Sequence, residues 1–171
     1  GKYEADELQM QMNLVKPGYT IFDVGANFGW YAIHLAKKFP KAKLFSFEPI
    51  PSSFKFLNEN IKLNKVKNIQ TVNSGLSDKK GIFDFYFDPD LSVNASLANV
   101  SGNEKSIKKI KCRLMKLDNF SREKKQMVDF IKCDVEGAEL LVFKGGKKTI
   151  EKYKPVVFSE MLRKLTAKFD Y

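Results

Sequence analysis

Asp23-Val24-Gly25-Ala26-Asn27-Phe28-Gly29 decides the fold of this chain. A largely apolar run, Tyr19 to Phe22, leads into it, and an amphipathic segment, Trp30 to Lys38, leads out. The pattern predicts a strand, a glycine turn and a helix. Such a turn is expected to bring bare backbone N–H groups and a helix N-terminus against a ligand. A second carboxylate, Glu48, ends the next strand about twenty residues on, where the dinucleotide fingerprint places the acid that grips ribose hydroxyls. The two features together predict a site for an adenosine-containing molecule.

Outward from that turn, strands and helices alternate. Glu4 to Val15 reads as a helix ended by Lys16-Pro17-Gly18. Thr20 to Val24, Ala42 to Phe47, Ile69 to Asn73, Val128 to Cys133 and Pro155 to Glu160 read as five core strands. Helices are expected over Phe28 to Phe39, from Pro51 with Phe54, Leu57, Ile61 and Leu63 facing the core, and over Leu117 to Gln126. Another is expected over Gly137 to Tyr153, with Leu140, Leu141, Phe143 and Ile150 inward and Gly145-Gly146 as a loosening point. Residues 82–87 form a strongly aromatic strand, expected to pair antiparallel with Ile107 to Met115. The Ser-, Asn- and Gly-rich stretch from Leu91 to Lys105 has no period and reads as a loop near the site. Short connections and right-handed crossovers make this an α/β fold, a doubly wound, mostly parallel sheet with an added antiparallel strand pair. Ligands in such sheets sit beyond the carboxyl ends of the strands, where Asp23, Glu48, Asp134 and Glu160 all fall.

Composition bounds the rest. The 171 residues suit one domain: an N-terminal helix over 1–16, a core over 19–160 and the start of a last helix over 161–171. No apolar run is long enough to span a bilayer and no charged-then-apolar leader opens the sequence, so a cytoplasmic protein is expected. Cys112 and Cys133 sit in strand-like runs and read as buried thiols, without disulfide or zinc spacing. The net charge of +10 comes from scattered lysines that read as a solvated surface, with no aromatic-basic nucleic-acid motif.

The chemistry of the turn separates two cofactor classes. A nicotinamide-dependent oxidoreductase needs a G-x-G-x-x-G turn, and Asn27 stands between Gly25 and Gly29 without the middle glycine. A carboxylate at Asp23 suits a cationic ligand better than a diphosphate. S-adenosylmethionine carries a sulfonium and an ammonium, and its ribose still needs an acceptor.

The ordered motifs resemble those of the FkbM-type family of class I S-adenosylmethionine-dependent methyltransferases. They are the 23–29 turn, Phe47-Glu48-Pro49, Gly75-Leu76-Ser77-Asp78 with Gly81, Lys116-Leu117-Asp118-Asn119-Phe120, Ile131 to Glu139, and Glu160. The Asp134-Val135-Glu136-Gly137-Ala138-Glu139 element is the most distinctive. The resemblance spans about residues 15 to 162 and implies a Rossmann-like methyltransferase fold. It implies that Asp23, Gly25, Asn27 and Gly29 hold the methionine portion of the donor. Glu48 binds the ribose diol and Pro49 shapes the adenine wall. Ser77 and Asp78 reach the adenine edge, and Asp134 faces the sulfonium and the acceptor. The family's fold continues after the fifth strand with a helix and an antiparallel hairpin, whereas this sequence stops inside that helix.

Methyl transfer to a hydroxyl needs in-line alignment, exclusion of water and a proton acceptor. Asp134, Glu136 and Glu160 are the candidate catalytic groups, each near the rim, while Asp134, Glu136 and Glu139 also suit a helix N-terminus. His34 lies inside a helix and reads as structural, Trp30 and Tyr31 read as helix packing, and no metal site is expected. The sequence therefore predicts O-methylation of a small-molecule or glycan hydroxyl acceptor with S-adenosylmethionine as donor. The rival readings are a nicotinamide-dependent oxidoreductase and a non-catalytic or nucleic-acid-binding module. The acceptor and the oligomeric state are not legible in the residues.

Overall fold

The computed structural model describes residues 4–87, 95–96 and 108–160. Along the chain run α1 (Ala5–Leu14), β1 (Thr20–Val24), α2 (Trp30–Lys38), β2 (Lys43–Phe47), α3 (Pro51–Leu63), β3 (Ile69–Val72), β4 (Gly75–Leu76) and β5 (Gly81–Phe87). There follow β6 (Ala95–Ser96), β7 (Lys108–Met115), α4 (Leu117–Lys124), β8 (Phe130–Cys133), α5 (Glu139–Gly145), α6 (Lys147–Tyr153) and β9 (Val156–Ser159). Five strands form a parallel sheet in the order β3-β2-β1-β8-β9. The chain works outward from β1 to β3, then returns to the other side of β1. The switch point between β1 and β8 is where open α/β sheets bind ligands.

Helices cover both faces of this sheet, which is why its central strands are apolar without clean alternation. One face packs Ile21, Leu44 and Phe130 against Ala32, Leu35 and Ala36 of α2 and Val15 beyond α1. The other packs Phe22, Phe45 and Phe47 against Leu117 and Phe120 of α4 and Val142 of α5. Phe120 stands edge-on to those three rings, with centroids at 5.6, 5.2 and 4.9 Å. Each such pair adds about 0.5–1.5 kcal/mol beyond the area it buries.

The aromatic strand pairs antiparallel with β7, from Gly81↔Leu114 to Phe87↔Lys108. The pair does not extend the parallel sheet. It belongs to a second, mixed sheet in the order β4-β7-β5-β6, in which β4 runs parallel to β7. The two-residue β4 follows directly on the third core strand. It supplies the link, because the chain leaving β3 pairs with Leu114 and Met115 before turning into β5.

Three expectations change in detail. Leu57, not Leu63, is the buried residue of α3; Leu63 is 77% exposed, because six residues on from Leu57 a helix points to another side. The helix expected over 137–153 starts only at Glu139 and divides into α5 and α6 at the Gly145-Gly146 loosening point. Its inward anchor is Val142, with Leu140 and Leu141 only half-buried. The helix expected over 161–171 lies outside the described residues, as does the stretch from Leu91 to Lys105 except for β6.

Candidate functional site

A cleft opens at the carboxyl ends of the parallel strands. Three residues of the β1–α2 turn adopt left-handed backbone: Gly25 at φ 77°, Asn27 at φ 50° and Gly29 at φ 92°. Gly25 is required twice over. Its φ disfavours any side chain, and a Cβ there would press on the carbonyl oxygen of Asp134. The turn thus lies directly against the loop that leaves β8.

Four N–H groups of this turn are already taken. Gly25 and Ala26 both donate to the Phe47 carbonyl at 3.0 Å, and Gly29 donates to the Ala26 carbonyl at 2.8 Å. Asn27 donates its N–H to Glu48 Oε2 at 2.9 Å. A loop that cradles phosphate keeps its N–H groups for the ligand. This one spends three of them on Phe47 and Glu48 and a fourth within the turn, which fits a ligand without a diphosphate there.

Glu48 is 5% exposed and lines the cleft. Its Oε1 accepts the Ile50 N–H at 2.8 Å, and Oε2 holds Asn27. Burial pushes its carboxyl up to about 7, against the lowering by those two N–H donors and by Lys132. Pro49 and Gly75 also line the cleft and touch each other, since a Cβ on Gly75 would lie 3.4 Å from the Pro49 ring. Ile50, Leu76, Phe85 and Leu114 give this part of the cleft an apolar wall. Phe85 and Leu114 come from the second sheet, so that sheet builds part of the site.

The acidic part comes from the loop after β8 and from the end of β9. Asp134, Glu136 and Glu160 line the cleft with Glu4. Glu136 holds a left-handed backbone at φ 54°, a conformation costly for a glutamate. Burial, then the neighbouring charges of Asp134, Glu160 and Glu139, lift its carboxyl to about 7. Glu160 is exposed and also raised, through burial of part of the group and the charge of Asp134. Glu139 does not face the cleft: it is buried, and its Oε1 accepts the N–H groups of Val135 and Gly137 at 3.0 and 3.1 Å. It shapes the loop that carries Glu136. Among the described residues, no three His, Cys, Asp or Glu side chains are grouped to hold a metal ion.

Four of the residues picked from sequence stand apart from the lining. Asp23 is 1% exposed and lies below the cleft beside Lys132. Gly29 packs under α3 against Leu57. Ser77 is buried, donating its N–H to the Met115 carbonyl and its Oγ–H to Asp78 Oδ1. Its carbonyl abuts Gly145 of α5. The chain after β4 dives beneath the site, so Gly75 and Leu76 reach the cleft while Ser77 and Asp78 do not line it. His34 donates from Nδ1 to the Trp30 carbonyl at 2.8 Å within α2.

Lys132, absent from the residues expected at the site, lines the cleft yet is only 4% exposed. One signal pointed to it: a lysine inside the otherwise apolar strand Phe130–Cys133, where a cation is almost never buried without a partner. Trp30 and Tyr31 also line the cleft, so they do more than pack α2.

Comparison with known proteins shows the family and the fold. A model of the Methyltransferase FkbM domain matches residues 23–168. Methyltransferase sdnD of Sordaria araneosa is 29% identical over 153 residues, covering 73% of this chain and 59% of its own length. The 2-O-methyltransferase NoeI of Sinorhizobium fredii is 30% identical over 153 residues, covering 81% of this chain and 62% of its own length. The chain thus spans less than two thirds of these relatives. The crystal structure of precorrin-6y C5,15-methyltransferase from Geobacter metallireducens superposes with a TM-score of 0.59 at 15% identity, over 98% of this chain and 66% of its own. That likeness shows the shared Rossmann-like fold.

Proposed function

The chain belongs to the FkbM methyltransferase family, and from that premise we propose that it methylates a hydroxyl of a glycan or secondary metabolite with S-adenosylmethionine as donor. The observation that carries the proposal is one cleft that joins a buried carboxylate, Glu48, to an apolar wall and to an acidic end. An adenosine needs the first two and a sulfonium the third.

Glu48 would accept from the ribose hydroxyls, using lone pairs left over from its two backbone donors. Pro49, Ile50, Phe85 and Leu114 would enclose the adenine. The backbone of Gly25 and Asn27 would border the methionine portion, and Asp134 would face the sulfonium. Bound there, the donor supplies an activated methyl group. The chain's own part is to align the acceptor oxygen, exclude water and take up the hydroxyl proton. Glu136 suits the uptake of that proton, because its carboxyl is half-protonated near neutrality and is held on a strained backbone at the acidic end. Glu160 would orient further acceptor hydroxyls from the end of β9. We read the 171 residues as one methyltransferase domain. The two free, buried cysteines suit a reducing, cytoplasmic setting. Among the described residues, no helix is long and apolar enough to cross a membrane.

The test is transfer of isotopically labelled methyl from S-adenosylmethionine across a panel of glycans and polyhydroxylated metabolites, using the full-length protein. Label recovered in an alkali-stable methyl ether supports the proposal. Label found only on nitrogen or carbon would overturn it.

A further inference from the structure

Ser46, Asp23 and Lys132 stand in register across β2, β1 and β8, and all three are buried. A polar row inside a sheet core is costly unless its members find partners. Neither carboxylate oxygen of Asp23 has a hydrogen-bond partner, so its ion pair with Lys132 is what compensates it. The Lys132 ammonium lies 3.6 Å from Asp23 Oδ1 and 3.4 Å from Asp134 Oδ2, and it donates to the Gly25 carbonyl at 3.2 Å. The Tyr31 ring covers it at 5.0 Å.

We infer that Lys132 is a positioning residue for the donor: its ammonium ties the Asp134 carboxylate to the carbonyl of the glycine turn, and Asp23 is its buried counter-ion rather than a ligand. This rests on the donor reading given above. The partners explain why a buried ammonium persists at a site for a cation. Burial by itself would discharge Lys132, but the carboxylates of Asp23 and Asp134 outweigh it and raise its pKa. The ammonium lies between two carboxyl groups, so it holds Asp134 at the rim of the cleft while Asp23, raised by burial and lowered again by Lys132, stays beneath it.

Lys132 also acts on carboxylates it does not touch. Its charge lowers Glu48, which also feels Asp23, and lowers Glu136, which also feels Asp134, Glu160 and Glu139. Both carboxyls lie near 7, so losing Lys132 moves their ionisation to higher pH. A residue that merely filled space would not move that midpoint.

The experiment is calorimetric titration of S-adenosylhomocysteine, from pH 6 to 9, into wild type, Lys132→Met, Asp23→Asn and the double variant, with thermal unfolding as the folding control. Lys132→Met should weaken binding at least about tenfold and shift the pH midpoint upward. Asp23→Asn should cost less, and the double variant should bind better than Lys132→Met, because a buried carboxylate without its cation is worse than neither. Wild-type affinity and midpoint in Lys132→Met would overturn the inference, as would a double variant worse than both singles. If Lys132→Met does not fold, Asp23→Asn decides: a loss beyond tenfold makes Asp23 a ligand and overturns the assignment. No binding by wild type overturns the donor reading itself.

Discussion

Glu48 Oε2 accepts the backbone N–H of Asn27 at 2.9 Å, so the carboxylate at the end of β2 and the glycine turn after β1 form one unit. The side chain proposed to hold the ribose also fixes the turn proposed to border the methionine portion. Binding and local stability are therefore coupled at Glu48.

Glu48→Ala should lower both. It leaves the Asn27 and Ile50 N–H groups without their acceptor, at about 1–3 kcal/mol for each that stays buried and unpaired. Glu48→Gln is not a mild change, because its amide nitrogen must face one of the two N–H donors. Urea unfolding and S-adenosylhomocysteine titration on both variants check this; full stability in Glu48→Gln would count against the geometry.

Gly25→Ala should destabilise the protein by about 1–3 kcal/mol, from the left-handed φ of 77° and the collision with the Asp134 carbonyl. The displaced loop carries Asp134 and Glu136, so turnover should fall further than stability alone explains. Gly18→Ala is the control, at a left-handed φ of 84° with open space around it. Equal effects on activity from the two would contradict the contact.

Stability and activity should respond to pH in opposite directions. Glu48 and Glu136 are raised from an ordinary value of 4.5 to about 7, chiefly by burial. Between those values the native state holds protons that the unfolded chain has released, so this stability is present below about 4.5 and lost as pH rises through 7. With Glu136 as the proposed base, methyl transfer should rise over the same range as its carboxyl ionises. Glu136→Gln should flatten the activity profile, lower turnover by about 10²- to 10⁴-fold and soften the loss of stability. Activity in Glu136→Gln that still rises through pH 7 would remove it as the base.

Glu139→Ala should cost about 1–3 kcal/mol, since one buried oxygen serves the N–H groups of Val135 and Gly137. Glu139→Gln keeps an oxygen there and should cost less. Chemical denaturation distinguishes them, and equal losses would show that the charge rather than the acceptor matters.

The parts legible in the sequence are those set by local spacing. Alternating runs and turn residues marked β1, the glycine turn and α2, and distance along the chain marked Glu48. The less legible parts depend on distant partners. The turn's N–H groups looked bare because the Phe47 carbonyl that takes two of them arrives on another strand. The partner of Asp23 is hidden in the sequence because Lys132, in register with it, comes from the far half of the chain. Phe85 looked like strand packing because the second sheet's approach to the cleft is a matter of tertiary packing. Gly75 and Leu76 line the cleft and Ser77 and Asp78 do not, a difference set by a two-residue strand, β4, that local spacing does not reveal.

A crystal structure of the complex with S-adenosylhomocysteine is the decisive measurement. The expected result is the ribose hydroxyls within hydrogen-bond distance of the Glu48 carboxylate, the adenine against Phe85 and Leu114, and the sulfur on the side of Asp134. A ligand bound elsewhere, or seated here with Glu48 turned away from the ribose, contradicts the assignment.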